Sequence, residues 1–178
     1  SILPPDSPSF GFDTGPGNML MDAWMQHIWQ QPYDKNGEKA AQGKILPDLL
    51  ASLLDHPYFS RPYPKSTGRE LFSLSWLQGC LKGNEKPEDV MRTLVFYTAQ
   101  TIFDATKQAA PAIHHLYICG GGIRNPVLMY DLETLFSPDT KLHSTAKLHL
   151  DPQWVEAAAF AWLAACWCNQ VPSNPHHA

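Results

Sequence analysis

Gly11-Phe12-Asp13-Thr14-Gly15-Pro16-Gly17-Asn18-Met19-Leu20-Met21-Asp22 is the stretch whose reading decides the fold. The residues leading into it, Ser9-Phe10-Gly11-Phe12, are short and apolar and read as a strand. Asp13 to Asn18 is a Gly/Pro turn that closes on a capping Asn18. Residues 19 to 31 have helical spacing, with Leu20, Trp24 and Ile28 on one stripe and Met19 and Ala23 on its flank. The order is strand, glycine loop, helix. It recurs near the other end of the chain. Ile113 to Cys119 is rich in β-branched and aromatic residues and reads as a strand. Gly120-Gly121-Gly122 breaks it. Asn125 and Pro126 give the cap and first turn of a helix through Phe136, with Leu128, Met129, Leu132 and Leu135 on its apolar face.

Between these junctions the spacing predicts a short helix near Gly37 to Gly43 and another from Pro47 to about His56. Residues 57 to 70 carry three prolines and three aromatic rings, so they read as an ordered loop whose rings need burial. Pro87 opens a long helix with Val90, Leu94, Thr98, Ile102 and Ala105 on its buried stripe. Lys141 to Thr145 reads as another strand. Asp151-Pro152 starts a last helix that is apolar nearly all round from Val155 to Cys168, which predicts burial on several sides. Strands alternating with helices argue for an α/β domain with parallel pairs, in which ligands collect beyond the carboxyl ends of the strands.

The 178 residues fit one domain or one lobe of a larger protein. Hydrophobic residues make up 44%, which excludes a disordered chain. Thirteen basic against seventeen acidic residues give a formal charge of -4, so no nucleic-acid footprint is expected. No apolar run reaches the length of a membrane span, and the opening Ser1-Ile2-Leu3-Pro4-Pro5 has no secretory-signal pattern. Cys80, Cys119, Cys166 and Cys168 fit neither a CxxC redox pair nor a zinc ribbon. They read as small hydrophobes in a reducing compartment, and cytosol agrees with that. The start without Met and the loop-like finish Pro172-Ser173-Asn174-Pro175-His176-His177-Ala178 give the expectation of a chain clipped at both ends.

Glycines at the first junction let the backbone approach an anion, and the helix behind them offers free amides and its positive end. Asp13, at the strand end, suits a general base or a magnesium–water contact, or else an Asx-turn that only shapes the loop. The triple glycine at the second junction permits close approach of a flat or phosphorylated ligand, or makes a tight packing turn. It is not a GxGxxG dinucleotide fingerprint. Lys65-Ser66-Thr67 fails as a P-loop, because position 60 is Ser60 rather than Gly. Arg61, Lys65 and Arg69 suit either an anion or plain solvation. His114 and His115 would face opposite sides of a strand, and His143, His149, His176 and His177 complete no ligand set, so no protein-ligated metal is expected. Glu156 sits in the first turns of the apolar helix. It either serves the helix dipole or meets a polar ligand at a cleft edge.

Six ordered segments carry a resemblance. They are the residue 11 to 22 stretch, Pro32-Tyr33-Asp34-Lys35, Pro57-Tyr58-Phe59, Pro64-Lys65-Ser66-Thr67-Gly68-Arg69-Glu70, Cys119-Gly120-Gly121-Gly122-Ile123-Arg124-Asn125-Pro126 and Val155-Glu156-Ala157-Ala158-Ala159-Phe160-Ala161-Trp162-Leu163. Together they resemble the anhydro-N-acetylmuramic acid kinase family of bacterial peptidoglycan recycling. The resemblance implies an actin-like ATPase fold. The chain would be most of the C-terminal lobe, an RNase H-like open mixed sheet with flanking helices and a helical insertion at about 32–86. The missing lobe would carry the phosphate loop, so this chain alone is expected to be inactive. The family reaction takes ATP and water. It hydrolyses the 1,6-anhydro bridge of 1,6-anhydro-N-acetylmuramic acid and phosphorylates O6. Asp13 matches the family's base, and Glu156 a substrate- or water-binding carboxylate. Gly15, Gly17 and Asn18 would line the phosphate end of the cleft. Gly120, Gly121 and Gly122 would pass the adenosine, with Asn125 capping the next helix. Mg2+ would bridge phosphates mostly through water, and a cytoplasmic homodimer is implied. Another actin-like sugar kinase, or a non-catalytic α/β dimerisation module, are the competing readings. The Asp-Thr-Gly-Pro-Gly-Asn loop speaks against the first, and Asp13 and Glu156 against the second.

Overall fold

The computed structural model describes residues 1–4 and 9–173. Helix α1 (Met19–Trp29) is followed by 3-10 turns at Lys35–Gly37 and Ala40–Gln42, then α2 (Pro47–Leu54), α3 (Leu74–Cys80) and α4 (Pro87–Ala109). Strand β1 (His115–Ile118), a 3-10 turn at Gly121–Arg124, α5 (Pro126–Phe136) and β2 (Lys141–Ser144) come next. A 3-10 turn at Thr145–Leu148 and α6 (Val155–Cys168) complete the order. The architecture is α/β.

Helix α4 is the centre of the core. Pro87 fixes its first turn, Glu88 and Asp89 sit at its positive end and Lys107 at its negative end. Val90, Met91, Leu94, Val95, Tyr97 and Ala99 are fully buried. Side chains and backbone tie the flanking segments to it. The Trp24 indole N–H donates to the Pro87 carbonyl at 3.0 Å. The Leu46 amide donates to Thr93 Oγ1 at 2.9 Å, and the Lys44 amide to Asp89 Oδ1 at 2.8 Å. Gly43 passes so close to the Glu88 carbonyl that a Cβ there would collide with it. Across from these contacts, Arg92 grips Asp131 of α5 through two parallel bonds of 2.7 Å. The two side chains are 15% and 4% exposed.

Strands β1 and β2 pair in parallel, with His115 opposite Lys141 and Ile118 opposite Ser144. Helix α5 is the crossover between them, and its Leu128, Leu132 and Phe136 are buried in the core. Among the described residues the sheet has these two strands, not the larger mixed sheet expected.

Further expectations change. Ser9–Phe12 is no strand; only Ile2 and Phe10 form an isolated antiparallel bridge. One bridging partner supplies too few ladder bonds to extend it. The helix expected near Gly37 to Gly43 is two 3-10 turns, because Asn36 and Gly37 take left-handed φ of 56° and 68°. Helix α3 went unread; Ser73 caps it by accepting from the Trp76 amide at 3.2 Å. The largest change is α6. Trp167 is 79% and Phe160 70% exposed, and only Cys166 is buried on this helix. A helix apolar all round has no single face to bury and needs neighbours on several sides. The described residues cover only Cys166. Cys119 and Cys168 are likewise exposed rather than enclosed. Residues 174–178, with His176-His177, lie outside the described residues.

The loop at residues 57 to 70 does order its rings. Tyr58 is fully buried, edge-on to Phe59 and Phe72. Tyr63 stays 41% exposed and stacks on Phe10 and Phe12.

Removing one partner of a buried ion pair strands the other charge, at a cost of about 3–5 kcal/mol. Asp131→Ala is therefore expected to destabilise the fold by about that much in chemical denaturation. A loss under about 1 kcal/mol would mean that Arg92 and Asp131 do not hold α4 to α5.

Candidate functional site

The first glycine loop is seated on α4 by two threonines. Thr98 Oγ1 contacts the Gly17 carbonyl at 3.2 Å while bonding back to Leu94. A Cβ on Gly15 would lie 3.1 Å from Thr101 Oγ1 and 3.4 Å from the Phe59 ring, so the loop backbone lies directly on the helix. Gly17 takes a left-handed φ of 56°, which suits glycine. Asn18 does not cap α1 as expected. Its backbone is already helical at φ -80° and ψ -10°, which turns the side chain away from the α1 amides. Its Oδ1 lies 3.7 Å from where a Gly122 Cβ would stand.

Asn18 therefore faces the second junction. Gly120, at φ 77°, donates its amide to the Pro152 carbonyl at 2.8 Å. Gly121 and Gly122 wind into the 3-10 turn. Asn125 then caps α5, its Oδ1 accepting from the Val127 and Leu128 amides at 3.1 and 3.2 Å. A third segment packs on that cap. Gly37, in a left-handed conformation, presses its backbone onto Asn125 Oδ1, and a Cβ would overlap it. Asp34 holds this turn by accepting from the Lys39 and Ala40 amides at 2.9 and 3.0 Å.

The three segments enclose a cleft of about 450 Å³ at the carboxyl end of β1. Asn18, Gly121, Gly122 and Asn125 line it, as read from the sequence. Asp22, Tyr33, Asp34, Lys35, Asn36, Arg124 and Gln153 line it too and were not assigned. Of these, Asp22, Tyr33-Asp34-Lys35 and Arg124 had a signal, since they lie in segments that carry the family resemblance. Asp22 follows Asn18 by one helical turn, and burial pushes its carboxyl above the usual carboxylate range. A wider groove of about 630 Å³ runs beside α2, crossed by the exposed Lys82–Asp48 pair at 2.8 Å. It contains neither glycine junction.

Gly15, Gly17 and Gly120 support the cleft without lining it. Asp13 and Glu156 do not line it either. Asp13 is exposed and bound to the residue 57 to 70 loop: its Oδ2 accepts from the Thr67 amide at 3.0 Å. Glu156 is exposed in the first turn of α6, with no hydrogen bond or ion pair among the described residues. What the cleft offers is a glycine-smooth wall, amide and carboxylate groups at its edges, and two cations, Lys35 and Arg124.

The family model described as anhydro-N-acetylmuramic acid kinase matches residues 1–178. An anhydro-N-acetylmuramic acid kinase of Neisseria meningitidis serogroup C (strain 053442) is 68% identical over 178 residues, 100% of this chain and 49% of the relative. The enzyme of that name from Nitrosomonas europaea is 48% identical over 164 residues, 92% of this chain and 45% of the relative. The one from Pseudomonas syringae pv. tomato is 48% identical over 176 residues, 98% of this chain and 48% of the relative. The chain thus spans about half the length of the curated relatives it matches.

Gly37→Ala is expected to displace Asn125 from its cap and to cost about 1–3 kcal/mol, from cap loss plus left-handed strain. Thermal unfolding checks this. An unchanged midpoint would show that the turn shifts freely and that the cleft wall is soft.

Proposed function

The chain belongs to the anhydro-N-acetylmuramic acid kinase family along its whole length, and from that premise we propose that it is most of the C-terminal lobe of such a kinase, with the helical insertion at about residues 32–86. The β1–α5–β2 unit, with ligand-facing glycines at the end of β1, supports an RNase H-like lobe of the actin-like kind. The observation that carries the reading is the meeting of Asn18 with Gly122 across one cleft: two glycine junctions, about 100 residues apart, address the same space.

In this reading the cleft takes the nucleoside of ATP. Gly120, Gly121 and Gly122 let it approach the backbone. Asp22 and Lys35, on the cleft wall, would offer an acceptor to ribose hydroxyls and a cation to phosphate oxygens. Gly15, Gly17 and Asn18 present the α1 end to the phosphates. Asp13 is the general base. It takes a proton from water, the water oxygen bonds to C1, the C1–O6 bond breaks, and O6 receives the γ-phosphoryl group. The products are ADP and N-acetylmuramic acid 6-phosphate. Catalysis here is mostly positioning and charge stabilisation, so both lobes are needed and the isolated chain is inactive.

Mg2+ supplies charge neutralisation on the phosphates when bound. The described residues contain no group of three or more His, Cys, Asp or Glu placed to hold a metal. In this reading Mg2+ would be held by the phosphates, mostly through water. Glu156 would reach the sugar or the water from the start of α6. Peptidoglycan recycling in the cytoplasm, by a homodimer, follows from the same reading. No helix among the described residues is long and apolar enough to cross a membrane.

In the full-length protein Asp13→Asn is expected to lower turnover of ATP with the anhydrosugar by about 100- to 10,000-fold while nucleotide binding holds. A drop under about tenfold would leave Asp13 only the shaping of its loop. Glu156→Gln separates its two roles. A helix-dipole role predicts unchanged kinetics, whereas a sugar or water contact predicts at least about a tenfold fall in kcat/KM. We expect the fall.

A further inference from the structure

The loop from Tyr58 to Thr67 has no part in the reaction described so far, yet it grips Asp13 at three atoms. The Asp13 amide donates to the Lys65 carbonyl at 2.9 Å. The Tyr58 hydroxyl donates to the Asp13 carbonyl at 2.7 Å. The Thr67 amide donates to Asp13 Oδ2 at 3.0 Å. These partners lie 45 to 54 residues away in the chain, so the arrangement is not a local turn closing on itself.

The grip is itself anchored in the core. Tyr58 is fully buried, and the Phe59 and Phe72 rings stand edge-on to it. Lys65 folds over the Tyr58 ring, its Nζ 4.8 Å from the centroid, and donates to the carbonyls of Tyr58 and Phe59 at 3.3 and 3.2 Å. Among the described residues Lys65 has no carboxylate partner; its charge is spent on fixing the loop. The Thr67 hydroxyl has no partner among the described residues either, so Thr67 acts on Asp13 through its backbone.

We propose that Tyr58, Lys65 and Thr67 are positioning residues for the reaction: they fix Asp13 so that Oδ2 is engaged and Oδ1 alone is left to accept the proton of the attacking water. This rests on the reading of Asp13 as the base. An exposed carboxylate on a glycine loop would otherwise sample several rotamers, and the reacting oxygen would be in place only part of the time. Burial, with the Asp13 charge adding to it, pushes the Tyr58 phenol above its ordinary range, so it remains an O–H donor wherever Asp13 is ionised.

The test uses the full-length protein, ATP and 1,6-anhydro-N-acetylmuramic acid, well below each variant's unfolding temperature. Tyr58→Phe keeps the ring and removes only the donor. It is expected to lower kcat about tenfold with KM for both substrates within about twofold. Lys65→Met, which keeps the stem and removes the ammonium, should act in the same direction, and it decides the matter if Tyr58→Phe does not fold. Wild-type kcat in the folded variants, beside an inactive Asp13→Asn, would overturn the positioning role and leave the base intact. A raised KM with unchanged kcat would overturn it too, because the loop would then be a binding wall. An active Asp13→Asn would remove the base and this inference together.

Discussion

The glycine loop after residue 13 can approach α4 because it carries no side chain at residue 15. That steric fact organises the first junction. Thr101 Oγ1 would stand 3.1 Å from a Cβ there, a tight contact, and Thr98 reaches the next glycine's carbonyl. The loop's position is therefore set by a helix whose own position is set by burial of Val90, Leu94 and Tyr97. The ion pair from Arg92 to Asp131 extends the same support to α5, whose start carries the second junction. One long helix thus aligns two loops that the chain places far apart.

What sequence reading could see depended on whether the signal was local. The caps and prolines that start α4 and α5 are local, and both helices begin where they were read. The β1–α5–β2 unit is local as well. The turn at Asp34 to Gly37 is not. Its geometry follows from where Asn125 stands, and no spacing rule links residues 37 and 125. Asn18 makes the same point from the other side. Its type suits a cap, but its backbone enters the helix one residue early and frees the side chain to face Gly122. His115 and His143, treated separately in the sequence, lie 3.1 Å apart because parallel register puts their strands side by side.

The candidate site was legible at its glycines and less so at its carboxylates. Glycines announce themselves by sequence because backbone approach needs them. A carboxylate's role depends on what surrounds it. Asp22 closes the residue 11 to 22 stretch without an assigned role, and burial in the cleft wall is what distinguishes it. Asp34 stands in a quoted family segment without a role, and its two oxygens prove to be used by backbone amides. Apolar composition misleads in the opposite way at α6, where uniform hydrophobicity predicts burial and the helix is exposed.

That exposed helix has an optical consequence. Of the six tryptophans, Trp24, Trp29 and Trp76 are buried or half-buried in the helical core. Trp154 and Trp162, together with Trp167, are exposed on or beside α6. Indole emission moves to longer wavelength in water, so the chain emits as two populations. The red half reports on α6 alone. Whatever surface comes to cover that helix will announce itself as a blue shift, without a label and without disturbing the core signal.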